Sequence, residues 1–123
     1  MKNLYRPIES VIEDIKPETP NITTYRFRPK EPLTFAAGQF VELTVPGVGE
    51  APFTPSSNPN VEETLEITIM RVGRVTEALE KMKVGDTVGL RGPYGNGYNM
   101  ADFDGKEILI IGGGVGLAPL RSL

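Results

Sequence analysis

Ile108-Leu109-Ile110-Ile111-Gly112-Gly113-Gly114-Val115-Gly116-Leu117-Ala118-Pro119 divides the grammar of this chain in two. Its first four residues are apolar without interruption, the pattern of a strand buried on both faces, and such strands belong mostly to parallel sheets. A glycine-rich turn follows. Pro119 then suits the first turn of a helix, where its missing N–H is not needed. Successive glycine N–H groups ahead of a helix N-terminus make a phosphate site. Gly112 and Gly114 fit the first two glycines of G-x-G-x-x-G, but Leu117 stands at the third position. Alone, the stretch reads equally well as a structural turn and as a phosphate loop.

Upstream, the chain alternates and turns as short antiparallel strands do. A first strand carries Ile8, Val11, Ile12 and Ile15 and is expected to end at Lys16-Pro17. Ile22-Thr23-Thr24-Tyr25-Arg26-Phe27-Arg28 is rich in β-branched and aromatic residues. Val41, Leu43 and Val45 share one face of a third strand, closed by Pro46-Gly47-Val48-Gly49. Three prolines (Pro52, Pro55, Pro59) make the next segment an exposed edge or an extended stretch. Leu65, Ile67 and Ile69 alternate with Glu66, Thr68 and Met70, a half-buried strand. Val75, Leu79 and Met82 recur at helical spacing. A last strand covers Val88-Gly89-Leu90-Arg91, and Gly92-Pro93-Tyr94-Gly95-Asn96-Gly97 reads as loop.

About six short strands and one short helix predict an all-β fold, a small antiparallel Greek-key barrel. The first βα unit of an α/β nucleotide-binding domain follows it. Gly105 is the expected boundary, giving a barrel over residues 1–104 and the start of a truncated second domain over 105–123. With neither cysteine nor histidine, the chain offers no disulfide, thiolate nucleophile or imidazole base. A net charge of −3 argues against nucleic acid as a partner. The absence of a long apolar run or secretory segment predicts a cytoplasmic protein with no membrane span. Any chemistry must lean on a cofactor, on carboxylates or on hydroxyls.

Three segments stand out for that chemistry. Gly73-Arg74-Val75-Thr76 enters the helix, and free N–H groups with Arg71 and Arg74 nearby can hold a phosphate or pyrophosphate. The simpler reading, which the segment alone favours, is that Thr76 only caps the helix and the arginines are solvated. Phe53-Thr54-Pro55-Ser56-Ser57 sets an aromatic beside hydroxyls on a proline-stiffened strand whose backbone is free to meet a planar ring. The alternative is an edge protected against aggregation. Gly92-Pro93-Tyr94-Gly95 allows close backbone approach beside one aromatic, as a turn or as a surface for a cofactor.

Taken in order, Ala51-Pro52-Phe53-Thr54, Arg71-Val72-Gly73-Arg74-Val75-Thr76, Gly92-Pro93-Tyr94-Gly95 and the glycine-rich stretch above resemble the ferredoxin–NADP reductase superfamily. Its members pair a flavin-binding antiparallel barrel with a nicotinamide-binding α/β domain. Within it, the sequence is similar to the gamma subunits of cytoplasmic nickel–iron hydrogenases (sulfhydrogenases) and the electron-transfer subunits of dihydroorotate dehydrogenase, over residues 5–121.

The resemblance implies an FAD-binding electron-transfer domain of an NAD(P)H-linked flavoprotein reductase subunit, working with iron–sulfur or hydrogenase-type subunits. A [2Fe–2S] cluster would belong to a C-terminal part beyond this sequence. It places Ala51, Pro52 and Phe53 along the flavin, with Phe53 against the isoalloxazine and Thr54, the expected catalytic residue, donating near N5. Ile69, Met70 and Arg71 would line the ribityl and phosphate path, and Gly73, Val75 and Thr76 the pyrophosphate site. Gly112, Gly113, Gly114, Val115 and Gly116 would meet the phosphates of NAD(P)H. Ala51 stands where many members carry a phosphate-binding arginine, removing a contact worth about 1.5–3 kcal/mol that Arg71 or Arg74 could replace. The rival expectation is a non-catalytic barrel, an assembly or binding module whose flavin site lapsed with Ala51. The chain as it stands is expected to be inactive alone toward NAD(P)H.

Overall fold

The computed structural model describes residues 6–59 and 63–96. The glycine-rich stretch, the boundary at Gly105 and the residues assigned to NAD(P)H (Gly112, Gly113, Gly114, Val115 and Gly116) lie outside them. Six strands and one helix follow in chain order: β1 (Ile8–Thr19), β2 (Ile22–Pro29), β3 (Phe40–Val45), β4 (Gly49–Phe53), β5 (Leu65–Met70), α1 (Arg74–Glu80) and β6 (Thr87–Tyr94). All neighbours pair antiparallel, in the order β4-β3-β6-β1-β2-β5. β6 separates the β1–β2 hairpin from the β3–β4 hairpin, and β5 returns beside β2, which is a Greek-key path.

The alternation seen in the sequence sets which face is buried. Phe27, Val41, Leu43, Leu65, Ile67, Val88 and Leu90 all point inward and are almost completely buried. From α1, Leu79 joins the same core. β4 and β5 stand at opposite ends of the sheet order, yet the Ser56 N–H, just beyond β4, donates to the Glu66 carbonyl on β5 at 2.8 Å. The sheet must therefore curl until its two ends meet, which makes it a barrel.

Two local expectations are corrected. β1 does not stop at Lys16-Pro17; it continues to Thr19, with register shifts against β2 on either side of Asp14–Pro17. β6 reaches only the opening residues of β1, from Ile8 to Val11, so the missing N–H of Pro17 interrupts no second ladder. Nor is Gly92-Pro93-Tyr94 loop. It extends β6, across a cis Gly92–Pro93 peptide bond, because Tyr94 pairs with Phe40 on β3 after a register shift. Between β3 and β4, Pro46 and Gly47 occupy the two central positions of a tight turn. Gly47 has φ +78°, and the Val48 N–H donates to the Val45 carbonyl at 3.0 Å.

Because Leu43 is fully buried in the centre of the core, Leu43→Ala is expected to destabilise the fold by about 2–5 kcal/mol. Val72→Ala, at a position 75% exposed, should stay within about 0.5 kcal/mol. Urea unfolding midpoints of the two variants check this, and comparable losses would mean that the core is misplaced.

Candidate functional site

The meeting of the sheet ends is incomplete, and the gap is where the predicted residues gather. At its lower end, Ser56 N–H bonds Glu66, and the Glu66 N–H donates to the Ser57 hydroxyl at 2.9 Å. At its upper end, Gly49 of β4 lies against α1, where a Cβ on Gly49 would stand 3.4 Å from the Val75 side chain. Counting along both chains from these brackets sets Thr54 opposite Thr68 and Pro52 opposite Met70. No ladder joins β4 to β5 there among the described residues. The result is a slot with one wall from β4, one from β5, and α1 at the top.

Its chemistry follows from the backbone. Glu66 turns its N–H and C=O away from β2 toward residues 56 and 57. By the alternation of antiparallel pairing, Thr68 and Met70 turn theirs to the same outer edge. Arg71 obeys the same rule in reverse, donating its N–H inward to the Asn21 carbonyl at 2.8 Å. On the opposite wall, Pro52 has no N–H to expose. The Thr54 side chain is half-buried and hydrogen-bonds to no described residue, so its hydroxyl is available to a ligand.

At the top of the slot, Thr76 is buried and its hydroxyl is fully used. It accepts the N–H groups of Val72 and Gly73 and donates to the Gly73 carbonyl, each at 2.9 Å. Thr76 therefore shapes the loop by capping, as one of the two sequence readings held, and has no hydroxyl proton to spare. The first bond within α1 runs from the Glu77 N–H to the Gly73 carbonyl, so the N–H groups of Arg74, Val75 and Thr76 precede it. Arg71 is held by both Glu80 oxygens, at 2.9 and 3.1 Å. Of the two arginines considered as substitutes at Ala51, Arg74 is exposed and makes no ion pair with a described residue.

Other predicted residues sort by face. Ala51 and Phe53 share the core-facing side of β4 with their β3 partners Leu43 and Val41. Phe53 is partly exposed while packing on the core cluster. Ile69 is buried in the core and, like Arg71, turns its backbone polar groups toward β2; Met70 is half-buried on the outer face. A separate groove of about 640 Å³, lined by Val45, Val48, Arg74, Ala78 and Met82, runs along α1 and holds none of the β4 or β5 residues.

One feature of the wall has no local sequence signal. Glu50, on β4, receives Arg91 of β6 in a two-armed pair at 2.5 and 2.7 Å, and Thr44 of the intervening β3 donates to the same carboxylate at 3.0 Å. Arg91 also donates to the Tyr94 hydroxyl at 2.8 Å, and Tyr94 packs against Phe40 with ring centres 5.6 Å apart. Partners 41 residues apart reveal themselves only once the strand order is known.

The hydrogen bonds from Arg91, ahead of those from Thr44, hold the Glu50 carboxyl below the usual carboxylate range. A depressed folded-state value means that the pair stabilises the fold above the ordinary carboxylate value of 4.5 and stops doing so as the pH falls through the lowered one. Glu50→Gln should therefore lower Tm at pH 7 by no more than about 4 °C, since the pair is partly solvated, and the difference should vanish in acid. Thermal melts from pH 7 to pH 3 check this; a gap that widens in acid contradicts it.

Residues 9–98 match the family described as oxidoreductase FAD-binding domain. The chain is 45% identical over 109 residues to the sulfhydrogenase 1 subunit gamma of Pyrococcus furiosus, covering 86% of this chain and 37% of that protein. It is 46% identical over 118 residues to a probable dihydroorotate dehydrogenase B (NAD(+)) electron transfer subunit of Methanocella arvoryzae, covering 96% and 42%. The chain thus spans about two fifths of the length of these relatives. Among solved structures, the Amycolatopsis cytochrome P450 reductase GcoB aligns with a TM-score of 0.83 at 31% identity, over 95% of this chain and 37% of that one. The ferredoxin-NADP+ reductase of Plasmodium falciparum shares the fold, with a TM-score of 0.80 at 20% identity over 99% and 51%. No helix of the described residues is long and apolar enough to cross a membrane. With the greater part of its length inside the family match, the chain belongs to the oxidoreductase FAD-binding domains of the ferredoxin reductase type.

Proposed function

We propose that the slot between β4 and β5 is where this domain holds FAD. The observation that carries the reading is the free backbone edge at Thr68 and Met70, across the counted register from Thr54, whose hydroxyl bonds no described residue, under the first N–H groups of α1. These groups suit a ligand with a hydrogen-bonding ring at one end and phosphates at the other. Phe53 would flank the ring and Thr54 would donate toward its N5. Ala51 and Pro52 would complete that wall, and the backbone of Thr68 and Met70, flanked by Ile69 and Arg71, the other. Arg74, Val75 and Thr76 would meet the pyrophosphate through N–H groups, beside Gly73, whose own N–H is held by Thr76, and the Arg74 side chain would supply the cation that Ala51 does not.

FAD, when bound, would supply the redox chemistry, taking two electrons as a hydride and giving them up singly, while the protein binds, orients and shields it. In the whole protein we assign the hydride to NAD(P)H and the single electrons to an iron–sulfur partner of a multisubunit, hydrogenase-like complex in the cytoplasm. Support comes from the relatives' names, which are those of hydrogenase and electron-transfer subunits. The barrel would occupy residues 1–104, in keeping with a family match that ends at 98. Residues 105–123 would open the nicotinamide-binding domain, with Gly112, Gly113, Gly114, Val115 and Gly116 at its phosphates. The rival, a barrel with a lapsed flavin site, has no support from the family match or the fold.

Fluorescence titration of flavin-free protein is expected to give FAD an affinity at least about 10-fold above FMN, because the loop offers more anion contacts than one phosphate uses. Arg74→Ala should narrow that gap. Equal affinities, or tighter FMN, contradict the assignment of the loop to a pyrophosphate.

A further inference from the structure

The outer face of the barrel carries an unbroken line of hydroxyl groups from the closed end of the slot to the surface. Ser56 Oγ lies 3.4 Å from Thr68 Oγ1, Thr68 Oγ1 lies 2.9 Å from Thr24 Oγ1, and Thr24 Oγ1 donates to Glu18 Oε1 at 3.0 Å. Ser56 and Thr24 are buried, whereas the Glu18 side chain is 37% exposed. The line crosses three strands, from β5 to β2 to β1, at residues 44 positions apart in sequence.

Its direction follows from counting protons. A hydroxyl has one O–H to give. Thr24 gives its own to the Glu18 carboxylate, so the contact with Thr68 is a hydrogen bond only if Thr68 donates. Thr68 then has nothing left, and Ser56 must be the donor to it, sharing its proton with the Glu66 carbonyl at 3.3 Å. The O–H groups of Thr68 and Thr24 therefore point toward Glu18, that of Ser56 is divided between Glu66 and Thr68, and the slot end is left able to accept a proton.

We propose that Ser56, Thr68, Thr24 and Glu18 form a relay that carries a proton out of the slot. The inference rests on the reading of the slot as a flavin site. Two-electron-reduced flavin, carrying one proton at N5, becomes oxidised flavin by losing two electrons and that proton. The electrons go to a one-electron acceptor. Ser56 accepts the proton and passes its own to Thr68, Thr68 passes one to Thr24, and Thr24 protonates Glu18, which releases it to water. With no histidine or cysteine in the sequence, the usual side chains for this task are missing.

The test uses FAD-loaded protein reduced anaerobically by N-benzyl-1,4-dihydronicotinamide and then mixed with ferricyanide, with a pH-indicator dye in weak buffer. In Thr24→Val and Thr68→Val, the first electron should leave at the wild-type rate. Loss of the second electron and appearance of the proton should slow about 10-fold, with Thr→Ser at either position restoring both. Glu18→Gln should slow proton release alike. Independently of flavin, NMR of the unloaded protein should show slowly exchanging hydroxyl protons on Thr24 and Thr68, the second shifting in Thr24→Val. Proton release that keeps step with electron loss in both valine variants overturns the relay. A protein that binds no FAD but shows those hydroxyl signals overturns the flavin reading instead.

Discussion

The contact between Ser56 and the edge of β5 governs the rest of this molecule. It joins two ends of a sheet that the strand order leaves apart, and it does so with a serine, whose side chain also engages Glu66 and Thr68. Had the joining segment been a regular strand, β4 would have laddered onto β5 and the barrel would have sealed. Pro52 works against this by withholding an N–H group from the seam. The seam closes at one end, and a slot remains above it. The functional site is therefore a consequence of incomplete closure, with backbone groups left over from a ladder that does not form.

The helix limits the slot from the other side. Its first turn is fixed by Thr76 and by Val75, whose side chain lies within van der Waals reach of the Cβ position at Gly49. Arg71, tied to Glu80, anchors the loop to the body of α1 and leaves Arg74 as the exposed charge at its start. Across β3, the Glu50–Arg91 pair holds the free wall to a central strand. Each of these contacts links the site to a different part of the barrel, which suits a pocket that must keep its shape while charge moves through it.

Much of the fold was legible in the sequence because alternation has one cause: Leu65, Ile67 and Ile69 are buried for the reason that Glu66, Thr68 and Met70 are not. The proline-rich edge and the helix entry were legible too, since proline and glycine act locally. What was not legible depends on which strands become neighbours. Tyr94 reads as loop until Phe40 is placed beside it. Arg91 had no assigned role until β6 was found next to β3. Thr24 and Thr68, unnoticed in a β-branched run, became one hydrogen-bonded line only across the β2–β5 ladder. Thr76 was visible as a candidate, but the three bonds its hydroxyl makes appear only with the loop in place.

The central claim is that FAD occupies the slot between β4 and β5. An amide-resolved NMR titration of isotope-labelled protein with FAD tests it most directly. The account predicts saturable shifts that are largest at Thr54, Thr68, Met70, Gly73 and Val75, with little change at Glu9 and Gly89, paired between β1 and β6 in the middle of the strand order. Shifts centred instead on Val48, Ala78 and Met82, in the groove along α1, would contradict it.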